Sequence, residues 1–311
     1  MKYAFFQGCN IPVRIEQYAR ATQAVLRQFD VELIEEREFN CCGYPVRNVD
    51  EKSYILPSAR NLAVAEKKNL DIAVICNCCF ASLMKAKNVL ATDQQLLYEI
   101  NLILAKENLQ YSGTVEVKHF LTILHTDIGL ERIKAKLRYQ VKDLNIAVIQ
   151  GCHILRPREI TKFDHSFVPE ITDALLRLTG AENLEWQGKL ECCGAALAGI
   201  NDALCHDLLN NKIAGARKAD ARFIMPICAY CHLQFDTSQL QISESKEEIL
   251  PVLLFPQLLG LCLGLAEQDL GIMENKTVSG ELLESLSSTL GPPEEDKKKK
   301  RKKKKQPAAA S

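Results

Sequence analysis

Short motifs by which redox proteins hold their own nucleotide or ferredoxin-type cofactors are missing from this sequence. No Gly-x-Gly-x-x-Gly fingerprint occurs in its 311 residues, so we expect no flavin or nicotinamide bound by such a motif. The Cys-x2-Cys-x2-Cys-x3-Cys run of ferredoxin-type cubane clusters is absent as well. Any electrons that this chain uses must therefore arrive from another protein.

Features of export are missing too. The N-terminus, MKYAFFQGCN, lacks a charged leader followed by an apolar stretch and a small-residue cleavage site, so we expect a cytoplasmic protein. Structural disulfides do not persist in that reducing compartment. The 13 cysteines therefore indicate metal binding or redox chemistry rather than a disulfide framework.

The chain also has no net charge, because 39 basic residues balance 39 acidic ones, but the balance is uneven. Nine of the basic residues form the unbroken run Lys297–Lys305, so the rest of the chain carries a net charge of −9. We expect no nucleic-acid binding by this acidic body. The run itself is interpreted as a solvated tail, with association with an acidic partner or lipid as the alternative.

One uncharged segment, ILPVLLFPQLLGLCLGLA at Ile249–Ala266, has a length at the lower edge of a transmembrane helix. Pro251, Pro256 and Gln257 instead favour a buried strand followed by a helix. We therefore do not expect an integral membrane protein.

The sequence repeats itself after about 150 residues. AFFQGC at Ala4–Cys9 is echoed by AVIQGC at Ala147–Cys152, and NCCGY at 40–44 by ECCGA at 191–195. Both halves then carry an apolar strand that ends in Cys-x-x-Cys. Strands that alternate with helices in this way are typical of parallel α/β sheets.

The repeat predicts a tandem, duplicated α/β fold with the cysteines at the carboxyl ends of the strands. We predict a first domain over residues 1–142 and a second over residues 143–272. Periodicity is lost beyond them, so we predict a disordered tail over residues 273–311.

Ten of the cysteines follow the ends of predicted strands. Ligands of an open parallel sheet bind outside these ends, which lie about 5 Å apart, so five thiols can meet in each half. The first cysteine set is Cys9, Cys41, Cys42, Cys76 and Cys79, and the second cysteine set is Cys152, Cys192, Cys193, Cys228 and Cys231.

Five thiols in one place exceed the needs of most cysteine sites. A thioredoxin-like pair uses two of them, and zinc takes four ligands in a tetrahedron. Thiolate ligation of an iron–sulfur cluster fits best, with zinc in one half as the alternative. A conventional [4Fe–4S] cubane also needs only four thiolates. The fifth ligand and the adjacent pair therefore indicate a more open cluster, in which one thiolate bridges irons.

The doubled Cys-Cys-Gly pattern resembles the cysteine-rich CCG domain family, and specifically the B subunit of heterodisulfide reductase. The phrases that carry the resemblance lie within residues 1–270 and are QGCNIPVR, CNCCFASL, QGCHILRP, ECCGAAL and CAYCHLQFD. The resemblance implies two noncubane [4Fe–4S] clusters, one on each cysteine set, that face one another and cleave a substrate disulfide. It also implies two partners, a ferredoxin-like C subunit and a flavin-containing A subunit, and a small-molecule or protein-bound disulfide as substrate.

Other members of this family keep two further interpretations open. Lactate- and glycolate-oxidase iron–sulfur subunits carry the same doubled domain, and CCG proteins are attached to succinate dehydrogenase. The chain is then a non-catalytic iron–sulfur or zinc subunit of another redox complex. In a third interpretation it belongs to a sulfur-oxidation complex that acts on lipoate-bound sulfur, so the reaction forms rather than reduces a disulfide.

Three residues beside the predicted ligands are candidates for supporting roles. Cys78 stands where the family often has glycine or alanine, and is an alternative ligand that could exchange with Cys79. His153 and His232 each follow a predicted ligand directly, so each is a candidate proton source or donor to a cluster sulfur. A histidine bonded to a nearby carbonyl is the alternative for both.

Four further residues are given structural roles. Gly43 and Gly194 follow the two Cys-Cys pairs and are expected to allow a turn or a close backbone approach to the cluster. Cys205 and Cys262 are expected to be thiols of the hydrophobic core.

Overall fold

The first half of the chain forms a four-stranded parallel sheet. The structure is a computed structural model that describes residues 1–243, 245 and 248–293. The sheet has the order β2–β1–β3–β4, and its strands are β1 (Lys2–Phe6), β2 (Glu32–Glu35), β3 (Asp71–Val74) and β4 (Val117–His119). The central strands β1 and β3 are almost wholly buried, as expected for short apolar runs covered by helices on both faces.

The second half repeats this arrangement. Its parallel strands are β5 (Asn145–Ile149), β6 (Glu182–Asn183) and β7 (Phe223–Pro226), in the order β6–β5–β7. Val252 forms a parallel bridge to Ile224 of β7, as β4 pairs with β3 in the first half. The predicted duplicated α/β fold with parallel sheets is confirmed.

Helices connect the strands in matched places. In chain order they are α1 (Ile11–Arg14), α2 (Glu16–Arg27), α3 (Glu51–Lys67), α4 (Asn77–Thr92), α5 (Gln94–Leu104), α6 (Phe120–Thr122), α7 (Leu130–Lys136), α8 (Cys152–Leu155), α9 (Arg158–Thr161), α10 (Ile171–Thr179), α11 (Asp202–Lys218), α12 (Ala229–Leu233), α13 (Gln239–Ile242), α14 (Phe255–Leu263), α15 (Glu267–Leu270) and α16 (Gly280–Ser288). Short 3₁₀ turns cover Tyr44–Val46, Ala105–Glu107, Ala195–Leu197 and Ile272–Glu274, and π-helical turns cover Ile123–Gly129 and Gln234–Ser238.

Helices α3 and α11 are the clearest matched pair, because each has 17 residues and follows a Cys-Cys-Gly. Each is capped by a side chain just before its first residue. Asp50 accepts a hydrogen bond from the backbone N–H of Ser53, and Asn201 accepts one from that of Leu204. The two helices can therefore be compared position by position.

The uncharged segment Ile249–Ala266 lies inside the second half as a strand-like bridge at Val252 followed by α14, as predicted. Pro256 stands in the first turn of this helix, where its missing N–H leaves no bond unmade, and every residue of the helix is buried. Among the described residues, no helix is both long and apolar enough to cross a membrane.

Contacts between the halves join them into one hydrophobic core. Helix α2 of the first half packs against α14 and α15 of the second. The hydroxyl of Tyr18, on α2, is fully buried and donates a hydrogen bond of 2.9 Å to the carbonyl of Ile227, directly after β7. This bond ties α2 of the first half to the carboxyl edge of the second sheet.

The structure corrects the start of the predicted disordered tail, because residues 273–293 are ordered. Asn275 is fully buried, Leu283 and Leu286 of α16 pack into the core, and Gly291 pairs with Gln140. Periodicity did not reveal this segment because α16 has only nine residues and Asn275 is held by buried polar bonds. The lysine run lies in residues 294–311, outside the described residues.

Candidate metal centre

The first cysteine set lies at the carboxyl edge of the first sheet. Cys9 follows β1, Cys41 and Cys42 follow β2, and Cys76 and Cys79 flank the start of α4 directly after β3. Their thiols form a hydrogen-bonded series in the order Cys9, Cys41, Cys42, Cys79 and Cys76. All five line a single cavity with an empty volume of about 280 Å³.

The second cysteine set repeats this arrangement. Cys152 begins α8 after β5, Cys192 and Cys193 follow β6, and Cys228 and Cys231 flank the start of α12 after β7. The series runs Cys152, Cys192, Cys193, Cys231 and Cys228, with 3.2 Å between the sulfurs of Cys193 and Cys231. These five thiols line a second cavity of about 380 Å³.

The two cavities adjoin. The sulfurs of Cys76, Cys78 and Cys228 lie within 4.8 Å of one another, although they come from both halves. Cys78 lines both cavities, as do Tyr44 and Tyr230. The structure thus brings together all ten cysteines singled out by the sequence, and places Cys78 between the two sets.

Hydrogen bonds between neighbouring thiols set the protonation of both sets in the same pattern. The bond from Cys42 is the largest cause that lowers the pKa of Cys41 to about 2, and bonds from Cys152 and then Cys193 lower that of Cys192 to about 2. The bond with Cys41 raises the pKa of Cys42 to about 12, and the bond with Cys192 raises that of Cys193 to about 12. A thiolate therefore lies among protonated neighbours. All five thiols ionise together only when a positive centre compensates their charge.

The donor sets fit thiolate-ligated iron. Each cavity is lined by the five soft sulfurs of one cysteine set, one more than a tetrahedral zinc site takes, and by the shared Cys78. Six of the predicted ligands are buried, whereas Cys9 and Cys192 are exposed; the buried ones are Cys42, Cys76, Cys79, Cys193, Cys228 and Cys231. The sites are therefore largely dry inside and open to solvent at one side.

The two candidate histidines have different surroundings. Nδ1 of His153 lies 3.1 Å from the sulfur of Cys78, its Nε2 lies 3.3 Å from the Tyr44 hydroxyl, and the ring lines the second cavity. Burial lowers the pKa of His153, which keeps the imidazole neutral at pH 7. His232 is fully buried with Nε2 3.5 Å from Asp236, and is not among the residues that line either cavity. Its position does not support contact with a substrate.

Two contacts cross between the halves in a reciprocal manner. Cys78 occupies the same place in the first Cys-x-x-Cys as Tyr230 does in the second, and Asn10 follows Cys9 as His153 follows Cys152. Cys78 contacts His153, and Tyr230 is hydrogen-bonded to Asn10. Sequence reasoning missed the tyrosines. Alignment of the two halves at the positions inside Cys-x-x-Cys would have identified Tyr230.

Gly43 and Gly194 have left-handed backbones, with φ of 87° and 81°. A Cβ at Gly43 would lie 2.6 Å from the carbonyl oxygen of Tyr54, and one at Gly194 would lie 2.9 Å from that of Cys205. The expected close approach exists, but it is made to the first turns of α3 and α11. These glycines therefore hold the Cys-Cys pairs against the following helices.

We expect Gly43→Ala to lower the free energy of unfolding by roughly 2 to 4 kcal/mol, because a left-handed alanine is strained and its Cβ meets a backbone oxygen. Anaerobic denaturant unfolding followed by circular dichroism measures the change. Gly199→Ala is the matched control, since φ is 77° there and nothing lies within 4 Å of the added Cβ. It should cost only about 1 kcal/mol. Equal losses in the two variants would contradict the packing argument.

Two copies of one cysteine-rich unit, with thiol sets that line adjoining cavities, define the class of protein. Residues 3–84 and 146–236 match the cysteine-rich (CCG) domain, and each matched region contains one complete cysteine set. The chain therefore belongs to the cysteine-rich domain family, among the relatives of the heterodisulfide reductase B subunit.

Relatives with assigned names match nearly the whole chain. It is 31% identical to the B subunit of the ferredoxin/F420H2-dependent CoB-CoM heterodisulfide reductase of Methanosarcina acetivorans, over 92% of this chain and 97% of that protein. It is 32% identical to the membrane anchor subunit of the 8-methylmenaquinol:fumarate reductase of Wolinella succinogenes, over 88% of this chain and 96% of that protein.

A solved structure supports the fold. The crystal structure of a hypothetical protein from Helicobacter pylori matches 89% of this chain with a TM-score of 0.70 and 16% identity. The chain spans about half of that protein, because the match covers 52% of it.

Proposed function

We propose that this protein is the iron–sulfur component on which a heterodisulfide reductase-like complex converts a disulfide. The observation that carries the proposal is the convergence of the two cysteine sets on two adjoining cavities, five predicted ligands to each, with Cys78 shared between them. A substrate with two sulfur ends can present one sulfur to each cavity. The relatives from Methanosarcina, which are named as B subunits of heterodisulfide reductases, support the same reaction class.

Each cysteine set would hold one noncubane [4Fe–4S] cluster, and zinc in one half is the alternative. When bound, such clusters supply single electrons and iron atoms with affinity for sulfur. The chain contributes a dry interior through its buried cysteines, and an approach from solvent at Cys9 and Cys192. His153 and the Tyr44 hydroxyl, 3.3 Å apart, can hold a proton near a departing thiolate in the second cavity.

Electrons would come from partner proteins, since the sequence has no dinucleotide fingerprint of its own. The partners we propose are a ferredoxin-like C subunit and a flavin-containing A subunit of the same complex. The substrate is a small-molecule disulfide or a protein-bound one. The same chemistry in reverse forms a disulfide, as in a sulfur-oxidation complex that acts on lipoate-bound sulfur.

A second candidate function has support from a particular relative. The fumarate reductase anchor protein of Wolinella succinogenes is as similar to this chain as the Methanosarcina proteins are. The chain would then be a non-catalytic iron–sulfur or zinc subunit of another redox complex, of the fumarate, succinate, lactate or glycolate type. Release of two thiols from a disulfide by the complex separates the first candidate from the second.

Metal analysis of anaerobically purified protein gives the first test. We expect about eight irons and a similar amount of acid-labile sulfide per chain, with paramagnetic resonance signals that change on reduction. The expectation follows from five thiols per cavity. One or two zincs with little iron would contradict the proposed cofactors and with them the proposed reaction.

A further inference from the structure

The two halves differ in charge at one matched position behind the cysteine sets. Counted from the caps Asp50 and Asn201, the eleventh helical residue is Asn61 in α3 and Lys212 in α11. Both side chains are buried. A neutral amide therefore lies behind the first cysteine set where an amine lies behind the second.

The neutral side chain of Asn61 hydrogen-bonds to the backbone of the loop that carries the first Cys-Cys pair. Its Oδ1 accepts from the N–H of Asn40 at 3.0 Å, and its Nδ2 donates to the carbonyls of Asn40 and Cys41, each at 3.3 Å. The side chain thus fixes the loop that carries the first Cys-Cys pair. It adds no charge to that site.

Lys212 is only 2% exposed, and its contacts favour the charged ammonium. Its Nζ donates to the carbonyl of Gly188 and lies 5.2 Å from the centroid of the Trp186 ring. Among the described residues it forms no ion pair with a carboxylate. A buried ammonium is costly unless negative charge compensates it, so the surroundings must supply that charge in another form.

Lys212 lies beside the loop of the second cysteine set, because its Nζ donates to the carbonyl of Gly188, four residues before Cys192, and its counterpart Asn61 donates to that of Cys41. The second-set thiolates, together with the Glu191 carboxylate, act on it as negative charges. Burial lowers the pKa of Lys212, while Cys231, Cys193, Glu191 and Cys192 oppose this by favouring the ammonium. An iron–sulfur cluster on five thiolates is an anionic group, and its reduction adds a further negative charge. A fixed cation nearby stabilises the reduced form more than the oxidised one.

We propose that Lys212 raises the reduction potential of the cluster held by the second cysteine set above that of the first, so that electrons collect beside His153. This inference rests on the proposed iron–sulfur function. Arg47 is a second cation near the junction of the cavities, but it is only partly buried and its guanidinium lies 4.0 Å from the Tyr44 ring centroid, so solvent screens its charge. Lys212 is shielded from that screening.

Redox titration of the anaerobic holoprotein, followed by paramagnetic resonance, tests the assignment in three variants. Lys212→Met removes the charge and keeps the apolar stem. It should lower the ratio of reduced to oxidised second cluster at a fixed potential at least tenfold, which is about 59 mV for one electron. Lys212→Arg keeps the charge and should retain the wild-type potential. Lys189→Met removes a buried charge already paired with Asp173 and Glu185, and should shift neither cluster.

The affected cluster is identified by repeating Lys212→Met in chains in which one cysteine set has been disrupted by a single cysteine-to-alanine change. The shift should persist with Cys42→Ala, which leaves the second set intact, and should vanish with Cys193→Ala. An unchanged potential, an equal shift of both clusters or the same shift in Lys189→Met overturns the inference. If Lys212→Met loses the iron of the second cysteine set and Lys212→Arg retains it, the result supports the role of Lys212 as a positive charge that compensates the second cluster. Loss in both variants overturns it.

This test can fail without the proposed function failing. A wild-type chain with about eight irons and unshifted potentials in Lys212→Met refutes only the role of Lys212. A wild-type chain without iron refutes the proposed function before any titration is made.

Discussion

Replacement of Cys193 by alanine is expected to reduce the iron content from about eight to about four per chain and to abolish thiol release from the disulfide substrate. The Cys193 sulfur lies between those of Cys192 and Cys231, 3.2 Å from the latter, so its loss breaks the middle of the second series. Cys42→Ala should act in the same way on the first set. The proposed cleavage would use both cavities, so either single change should remove turnover rather than halve it.

Cys262→Ala is the matched control for these two variants. Cys262 is a fully buried thiol of α14 and contacts the Thr179 carbonyl at 3.7 Å, away from both cysteine sets. Its replacement should leave iron content and turnover unchanged and cost roughly 1 kcal/mol of stability through a small cavity. Full iron content in Cys193→Ala, or equal iron loss in Cys262→Ala, would contradict the assignment of the ligands.

The largest effect on folding is expected at Asn275, which should lose roughly 3 to 5 kcal/mol of unfolding free energy when replaced by alanine. Its Nδ2 donates to the Val252 carbonyl at 3.0 Å and to Oε1 of Gln257 at 2.8 Å, and its Oδ1 accepts from Nε2 of Gln17 at 3.2 Å. Alanine leaves buried polar groups on α2, on α14 and beside β7 without their partners.

Anaerobic denaturant unfolding of Asn275→Ala and Asn88→Ala measures this cost. Asn88 lies exposed on α4, where alanine is the better helix former, so that change should stay within about 0.5 kcal/mol of wild type. A loss below about 1 kcal/mol in Asn275→Ala would mean that water or side-chain movement replaces these hydrogen bonds.

The predictable part of the site followed from the geometry of parallel sheets. Strands such as β1 and β3 are short apolar runs, and the loops after parallel strands must meet at one edge. Once AFFQGC and AVIQGC are taken as matched strands, the positions of Cys9 and Cys152 follow. Each cysteine set then assembles without any further information.

Side-chain directions and polar contacts between residues far apart in the chain could not be predicted from the sequence. His232 follows a predicted ligand as closely as His153 does, but Cys152 is the first residue of α8 and Cys231 the third residue of α12. The two histidines therefore do not hold matched places in their helices, and His232 lies beside Asp236 instead of a cavity. Asn275 gave no signal because its partner Gln17 lies 258 residues away. The difference between Lys212 and its counterpart Asn61 becomes visible only when α11 and α3 are aligned from their N-caps, Asn201 and Asp50.

The reciprocal contacts of Cys78 with His153 and of Tyr230 with Asn10 also define a symmetry. Cys78 and Tyr230 hold the same position in the two halves, and so do Asn10 and His153. The same pair of positions therefore meets twice across the boundary between the halves, once in each direction, which is the pattern of an isologous twofold interface. Neither cavity is closed by its own half, because Cys78 lines the second and Tyr230 lines the first. A shorter protein with a single cysteine set of this kind would therefore need a second copy of itself to complete its site, whereas the present chain carries both halves in one polypeptide.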